Sequence, residues 1–196
     1  MHPSSSADSS LFFNWFDNKN NFTAAQRMAL AEHFKLQVIK KNDYLFKPGG
    51  ICKDLFFVLE GYFRALYLVK GKQKTIGFYK TNDLITDIPS LTEQTLVKWG
   101  VVCHEQALVW SINIHTWKKL CDENPYFNSC YTAVLYRHIE NQNRETLLLR
   151  GCKTGKSIET LKELYPGILH IIPQVCLASY LNVTPQAMCL VIKKLK

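Results

Sequence analysis

Apolar positions along this chain change their period, and each change marks a different kind of element. From Phe22 to Ile39 they return at helical spacing (Phe22, Ala25, Ala29, Leu30, His33, Phe34) behind Asn21 as a cap, which predicts a short amphipathic helix. Ahead of it lies a tail, 1–21, whose first ten residues are small and polar and read as disordered. From Lys40 to Ile112 the period shortens. Runs rich in Phe, Tyr, Val and Ile predict strands at Leu55–Leu59, Tyr62–Val69, Thr75–Tyr79, Leu84–Ile85, Val97–Cys103 and Ala107–Ile112. Turn signals at Pro48-Gly49-Gly50, Glu60-Gly61, Lys70-Gly71-Lys72, Thr81-Asn82-Asp83 and Glu93-Gln94 separate them. Short strands with turns about every ten residues predict an antiparallel barrel or jelly roll rather than a parallel sheet, with no helix inside it.

After His115 the helical period returns. Thr116–Asp122 predicts a short helix stopping before Asn124-Pro125. Pro125 then opens a segment to about Arg150 without further Pro or Gly, striped by Phe127, Tyr131, Val134, Leu135, His138 and Ile139. Such a helix has more apolar surface than one small barrel covers. It pairs with its twin in a symmetric dimer or packs on its own barrel, and the stripe alone leaves both open.

Gly151-Cys152-Lys153-Thr154-Gly155-Lys156-Ser157 imitates a phosphate-binding loop. It has three residues instead of four before Gly-Lys and a helix instead of a strand leading in, so it reads as a flexible hinge. Ser157 to Tyr165 is helical and stops at Pro166-Gly167. Beyond it, Pro173 suits a first helical position, Asn182 a left-handed turn, Thr184 an N-cap, and Pro185 a second helix start. Ala178 is small enough for two helices to cross, while Val183 and Met188 can close a small core. The pattern predicts a helix-turn-helix. The fold class is α+β, divided as 22–123, 124–150 and 151–196.

Charge sharpens the picture at one end. The 196 residues hold 24 Lys and Arg against 16 Asp and Glu, a net +8, and the stretch from Gly151 onward carries +4 of it. A basic C-terminal module suits an anionic partner such as nucleic acid. Seven cysteines stand at 52, 103, 121, 130, 152, 176 and 189 with no Cys-x-x-Cys pair, which predicts buried free thiols in a reducing, cytoplasmic setting. No apolar run approaches the roughly 20 residues of a membrane helix. The start lacks a basic, apolar secretory leader.

The order of elements, with Tyr44-Leu45-Phe46-Lys47-Pro48-Gly49 followed by Leu55-Phe56-Phe57-Val58-Leu59-Glu60-Gly61, resembles the Crp/Fnr family of bacterial regulators over roughly 22–196. Asn82 to Ile88 resembles the segment forming the family's phosphate cassette, and Asn124-Pro125 the start of its dimer helix. The short ending at Lys196 is similar to a Bacteroidetes-type subgroup. The resemblance implies a homodimer, a double-stranded DNA partner and a sensor barrel for a small effector, with no enzymatic activity.

Departures from the family pattern matter equally. Cyclic-nucleotide binders of the family carry Gly-Glu-Leu and then Arg-Ser or Arg-Thr, the Glu for the ribose and the Arg for the cyclic phosphate. Here those positions align with Thr86-Asp87 and Val97-Lys98. Asp87 is shorter, Thr86 adds bulk where backbone must approach, and Val97 supplies no cation, so the bidentate charge-assisted contact is lost. Tight cAMP or cGMP binding is not expected, and the effector is unassigned. Gln142 and Asn143 fall where the family places polar residues near a purine, or else form a polar step in the dimer seam. The early-cysteine pattern of the iron–sulfur branch is missing, since the first cysteine is residue 52. The six histidines have no paired spacing that suggests haem, another metal or a cupin-type enzyme.

At the DNA-reading end, Gln186 can pair with an adenine edge, and Thr184 and Gln174 can reach phosphates. Lys193 and Lys194, two turns later, serve the backbone alone. Leu190 stands where the family often has a guanine-reading Arg. This also leaves room for an interaction module that keeps the barrel without reading DNA.

Overall fold

A computed structural model describes residues 31–124 and 154–194, and positions 23, 28, 127, 128, 132, 135, 136, 139, 140, 143 and 146. Among the described residues eight strands are present: β1 (Lys35–Ile39), β2 (Tyr44–Phe46), β3 (Asp54–Glu60), β4 (Phe63–Val69), β5 (Lys72–Tyr79), β6 (Leu84–Ile85), β7 (Trp99–Cys103) and β8 (Ala107–Asn113). They pair antiparallel as two four-stranded sheets, β1-β8-β3-β6 and β2-β7-β4-β5. The fold is the expected α+β jelly roll followed by helices.

Strand β3 explains how the layers hold together. Its run Asp54–Glu60 is apolar on both faces because both are covered. Phe56 and Val58 join Phe46, Phe63, Ile85, Val97, Val101 and Val109 between the sheets. Leu55, Phe57 and Leu59 point the other way, into a cluster with Trp110, Ile112 and Trp117. Helix α1 (Ile88–Glu93) adds Leu91 to that second cluster, and helix α2 (Ile114–Glu123) adds Trp117 and Leu120. At the turn before β4, Gly61 has φ 106°, and a Cβ there would lie 2.5 Å from that of Ala107. No other residue fits so close an approach.

Three expectations need correction. The helix expected over 22–39 does not reach Ile39: Met28 and Ala31 are helical, but Lys35–Ile39 pairs with β8, Lys35 opposite Ser111 and Ile39 opposite Ala107. An available ladder edge overrides the local period. Phe34 is drawn onto the sheet, its ring 5.6 Å from Trp110 and 5.7 Å from Phe57. Secondly, α1 interrupts the strands. Asp87 caps it by accepting from the Ser90 N–H at 2.8 Å, and Gln94 ends it at φ 57°. Thirdly, the presumed hinge is helical from Thr154, with Ser157 and Ile158 buried, so only 151–153, outside the described residues, remain of it.

The positions described between 127 and 146 are all helical. Phe127 is buried in the α2 cluster, Leu135 is half-buried, and Tyr136 and Ile139 are exposed. After them come α3 (Thr154–Leu164), α4 (Ile168–Ile171), α5 (Gln174–Tyr180) and α6 (Pro185–Lys194). Their core contains Ile158, Leu161, Tyr165, Ile168, Leu177, Ala178 and Met188, with Val183 packed against it.

That core includes one barrel residue, Phe78 of β5. Its ring meets Tyr180 at 4.9 Å and Tyr165 at 5.9 Å, both edge-on. Polar contacts run along the same seam. The Tyr165 hydroxyl donates to the Phe78 carbonyl at 3.1 Å, and the Tyr62 hydroxyl to the Pro166 carbonyl at 2.6 Å. The Thr75 N–H donates to the Ser179 hydroxyl at 3.1 Å, and the Lys80 ammonium to the Leu164 carbonyl. The helices are docked on the outer face of the β4–β5 hairpin.

Candidate functional site

The cassette follows β6 directly. Thr86 is buried, its hydroxyl donating to the Asp54 carbonyl at 3.2 Å and lying 3.7 Å from the Cys52 sulfur. Asp87 accepts from the Ser90 N–H through Oδ1 and from the Trp99 indole N–H, at 2.5 Å, through Oδ2. Both carboxylate oxygens thus have protein donors. Trp99 is held in turn by Phe46, edge-on at 4.9 Å. Val97 is buried between the sheets, its N–H and C=O bridging to Gly50 and Gly49 at 2.8 Å. Lys98 is exposed. Gln142 lies outside the described residues, and Asn143 is helical and exposed.

Trp99 was missed from sequence. Its position two residues beyond Val97 is a visible signal, but only the close approach of β7 to Asp87 makes it a partner. A second polar group also went unread. Arg64 on β4 is 7% exposed and donates to neutral acceptors: Gln73 Oε1 at 2.6 Å, His104 Nε2 at 3.1 Å and Thr75 Oγ1 at 3.3 Å. Burial first, then the Arg64 and Lys41 charges, push the His104 imidazole down to about 4, so at neutral pH it is the acceptor Arg64 needs. Burial likewise pushes Cys52 up, and Cys103 up to about 11, so both are protonated thiols. Among the described residues no group of His, Cys, Asp and Glu is placed to hold a metal ion.

The helix-turn-helix is the better-exposed candidate. Helices α5 and α6 are bent by 104°, within the range of such motifs. The turn is made by Asn182 at φ 55°. Thr184 caps α6, its hydroxyl accepting from the Ala187 N–H at 3.1 Å, and Pro185 opens the helix. Pro173 takes the cap position of α5 and leaves Gln174 as its first residue, one place later than expected. Gln174, Thr184, Gln186 and Lys193 are all exposed. Lys194 continues the helix. Among them stand two exposed apolar side chains, Val175 at 64% and Leu190 at 61%. Among the described residues no single helix is long and apolar enough to cross a membrane.

Residues 36–124 match the family model of the cyclic nucleotide-binding domain. No curated protein matches the chain in sequence. FixK2 from Bradyrhizobium japonicum aligns with 83% of this chain over 84% of its own, at TM-score 0.68 and 12% identity. A protein described as a transcriptional regulator of the Crp/Fnr family, from Eubacterium rectale, aligns with 92% over 87%, at TM-score 0.68 and 14% identity. The c-di-GMP-responsive global regulator CLP of Xanthomonas campestris aligns with 88% over 91%, at TM-score 0.67 and 14% identity. At these identities the likeness is one of fold. Residues 36–124 are thus matched by the cyclic nucleotide-binding domain, and along most of its length the chain has the fold of solved Crp/Fnr-type regulators.

Proposed function

We propose that this chain is a cytoplasmic, DNA-binding transcription regulator of Crp/Fnr type, acting as a homodimer and not as an enzyme. The observation that carries the reading is the α5–turn–α6 unit, bent by 104° with Gln174, Thr184, Gln186 and Lys193 exposed. Gln186 is the base reader, Gln174 and Thr184 hold phosphates, and Lys193 and Lys194 add charge to the backbone contact. Tyr136 and Ile139, exposed on the helical stretch before α3, support pairing with a second subunit. Two recognition helices then meet a palindrome with half-sites about 34 Å apart.

The cassette does not fit a cyclic nucleotide bound in the family's way. Asp87 already has a protein donor on each oxygen, and the position aligned with the phosphate-binding Arg is the buried Val97. A different small effector, or none, acts on the barrel.

The test is selection of bound duplexes from a random pool by the purified chain at two salt concentrations. Recovery of a two-fold-symmetric motif with half-sites about 10 base pairs apart is expected. Retention without a motif would reduce the role to phosphate holding. A second reading, an interaction module that no longer reads DNA, draws on Val175 and Leu190, both more than half exposed on the same unit. Loss of all retention at low salt would favour it.

A further inference from the structure

The chain's excess charge is concentrated in two segments that are far apart in sequence and touch in space. Residues 61–82 carry Arg64, Lys70, Lys72, Lys74 and Lys80 with no acid, and residues 164–196 carry Lys193, Lys194 and Lys196 with none. The rest of the chain balances, with 16 basic and 16 acidic residues. The whole net +8 therefore belongs to the β4–β5 hairpin and the helix-turn-helix docked on it. Arg64 is buried and Lys80 bonds to α3. The solvent-facing hairpin charge is then that of Lys70 and Lys72, with the half-buried Lys74 behind them.

The seam also fixes the direction in which the hairpin runs. Phe78 meets Tyr165 and Tyr180, Thr75 meets Ser179, and the Lys74 ammonium lies 3.5 Å from the Asn182 side-chain oxygen. From Phe78 to Lys74, β5 thus lies against the C-terminal end of α5, with Lys74 at the Asn182 turn that feeds α6. The tip lies three residues beyond Lys74, about 10 Å at the usual rise per residue. It is closed by Val69 opposite Lys72, with Lys70 at φ 49° and Gly71 at φ 76°. Two consecutive left-handed residues make the tight two-residue turn that suits a twisted hairpin, so the tip is a defined element.

We infer that the β4–β5 hairpin of the sensor barrel is a second DNA-contacting element, its Lys70 and Lys72 engaging backbone phosphates beside the groove entered by α6. This rests on the DNA-binding reading above and extends it to a part of the chain that reading leaves out. Contacts of this kind add affinity and salt dependence without sequence preference. They also tie binding to the docked arrangement, because the hairpin reaches DNA beside α6 only while the seam holds.

The experiment measures binding of the full chain to a random-sequence 30-base-pair duplex over a series of KCl concentrations. Lys70→Gln/Lys72→Gln is compared with Lys193→Gln and with Lys118→Gln/Lys119→Gln, a charge-matched pair on the solvent-facing side of α2. The hairpin pair is expected to lower the magnitude of the log–log salt slope by up to about 1.8, and the Lys193 change by up to about 0.9. The α2 pair is expected to leave it in place. An unchanged slope for the hairpin pair, with Lys193→Gln still effective, overturns the hairpin role and leaves the helix-turn-helix reading standing. An equal effect from the α2 pair, or tighter binding by the hairpin variant, overturns it too. A wild-type chain that ignores the duplex at the lowest salt, or holds only anionic vesicles, defeats the DNA reading itself and the hairpin with it.

Discussion

The segment Thr86–Lys98 and the α5–α6 unit both carry polar groups, and they differ in what those groups already touch. At the cassette Asp87 is bonded to Ser90 and Trp99, Thr86 to Asp54, and Val97 to the Gly49–Gly50 turn. On α5 and α6 the side chains of Gln174 and Gln186 face solvent, and the Thr184 hydroxyl accepts one bond from the Ala187 N–H of its own helix. A group bonded inside the protein must break that bond before meeting a ligand, whereas an exposed amide exchanges water for its partner at little net cost. The first region therefore behaves as structure and the second as a surface available for binding.

The largest test of this contrast lies between the two regions. Phe78→Ala removes the ring that joins β5 to Tyr165 and Tyr180 and is expected to destabilise the docked helices by about 3–5 kcal/mol. Denaturant melts following the helices separately from the barrel read this out. Trp99→Ala comes next, at about 2–4 kcal/mol, because it removes the packing on Phe46 and leaves Asp87 short of a donor. If the cassette were an open binding site, truncating Trp99 would leave thermal stability nearly unchanged.

Acid supplies a smaller loss with a defined window. His104 is pushed down to about 4 in the fold, while in the unfolded chain it takes up a proton near 6.5. The unfolded state binds the extra proton between those values, so this stabilisation is complete above pH 6.5 and is lost as pH falls toward 4. His104→Gln, which keeps an oxygen for Arg64, is expected to flatten the melting temperature across that window. Thr184→Ala removes the cap of α6 and is expected to cost about 1 kcal/mol, visible in the same melts. The smallest effect belongs to cyclic nucleotides. One millimolar cAMP or cGMP is expected to move the melting temperature by less than about 1 °C, and a shift of several degrees would return the cassette to the list of ligand sites.

Much of this was legible in order. The runs at Leu55–Leu59, Leu84–Ile85 and Ala107–Ile112 fall within observed strands, and Asn182, Thr184 and Pro185 take the expected roles. These are local properties, set by side-chain period and by which residues tolerate a turn or cap a helix. Lys35–Ile39 misled because its strand exists only as the partner of β8, and α1 because its cap depends on Asp87, read as a ligand group.

The sequence by itself determined the run of short strands from β3 to β8, the helix-turn-helix pattern, the excess of positive charge and an apolar residue at position 97, since each depends on residue identity and near-neighbour spacing. Only the tertiary structure decided that Asp87 would be bonded to Trp99, that Arg64 would be buried against a neutral His104, and that Phe78 would join a core built by residues 158–188. Those outcomes require chain segments 12, 40 and 87 residues apart to meet. Contacts over such separations follow from how sheets twist and helices dock, and no local pattern carries them.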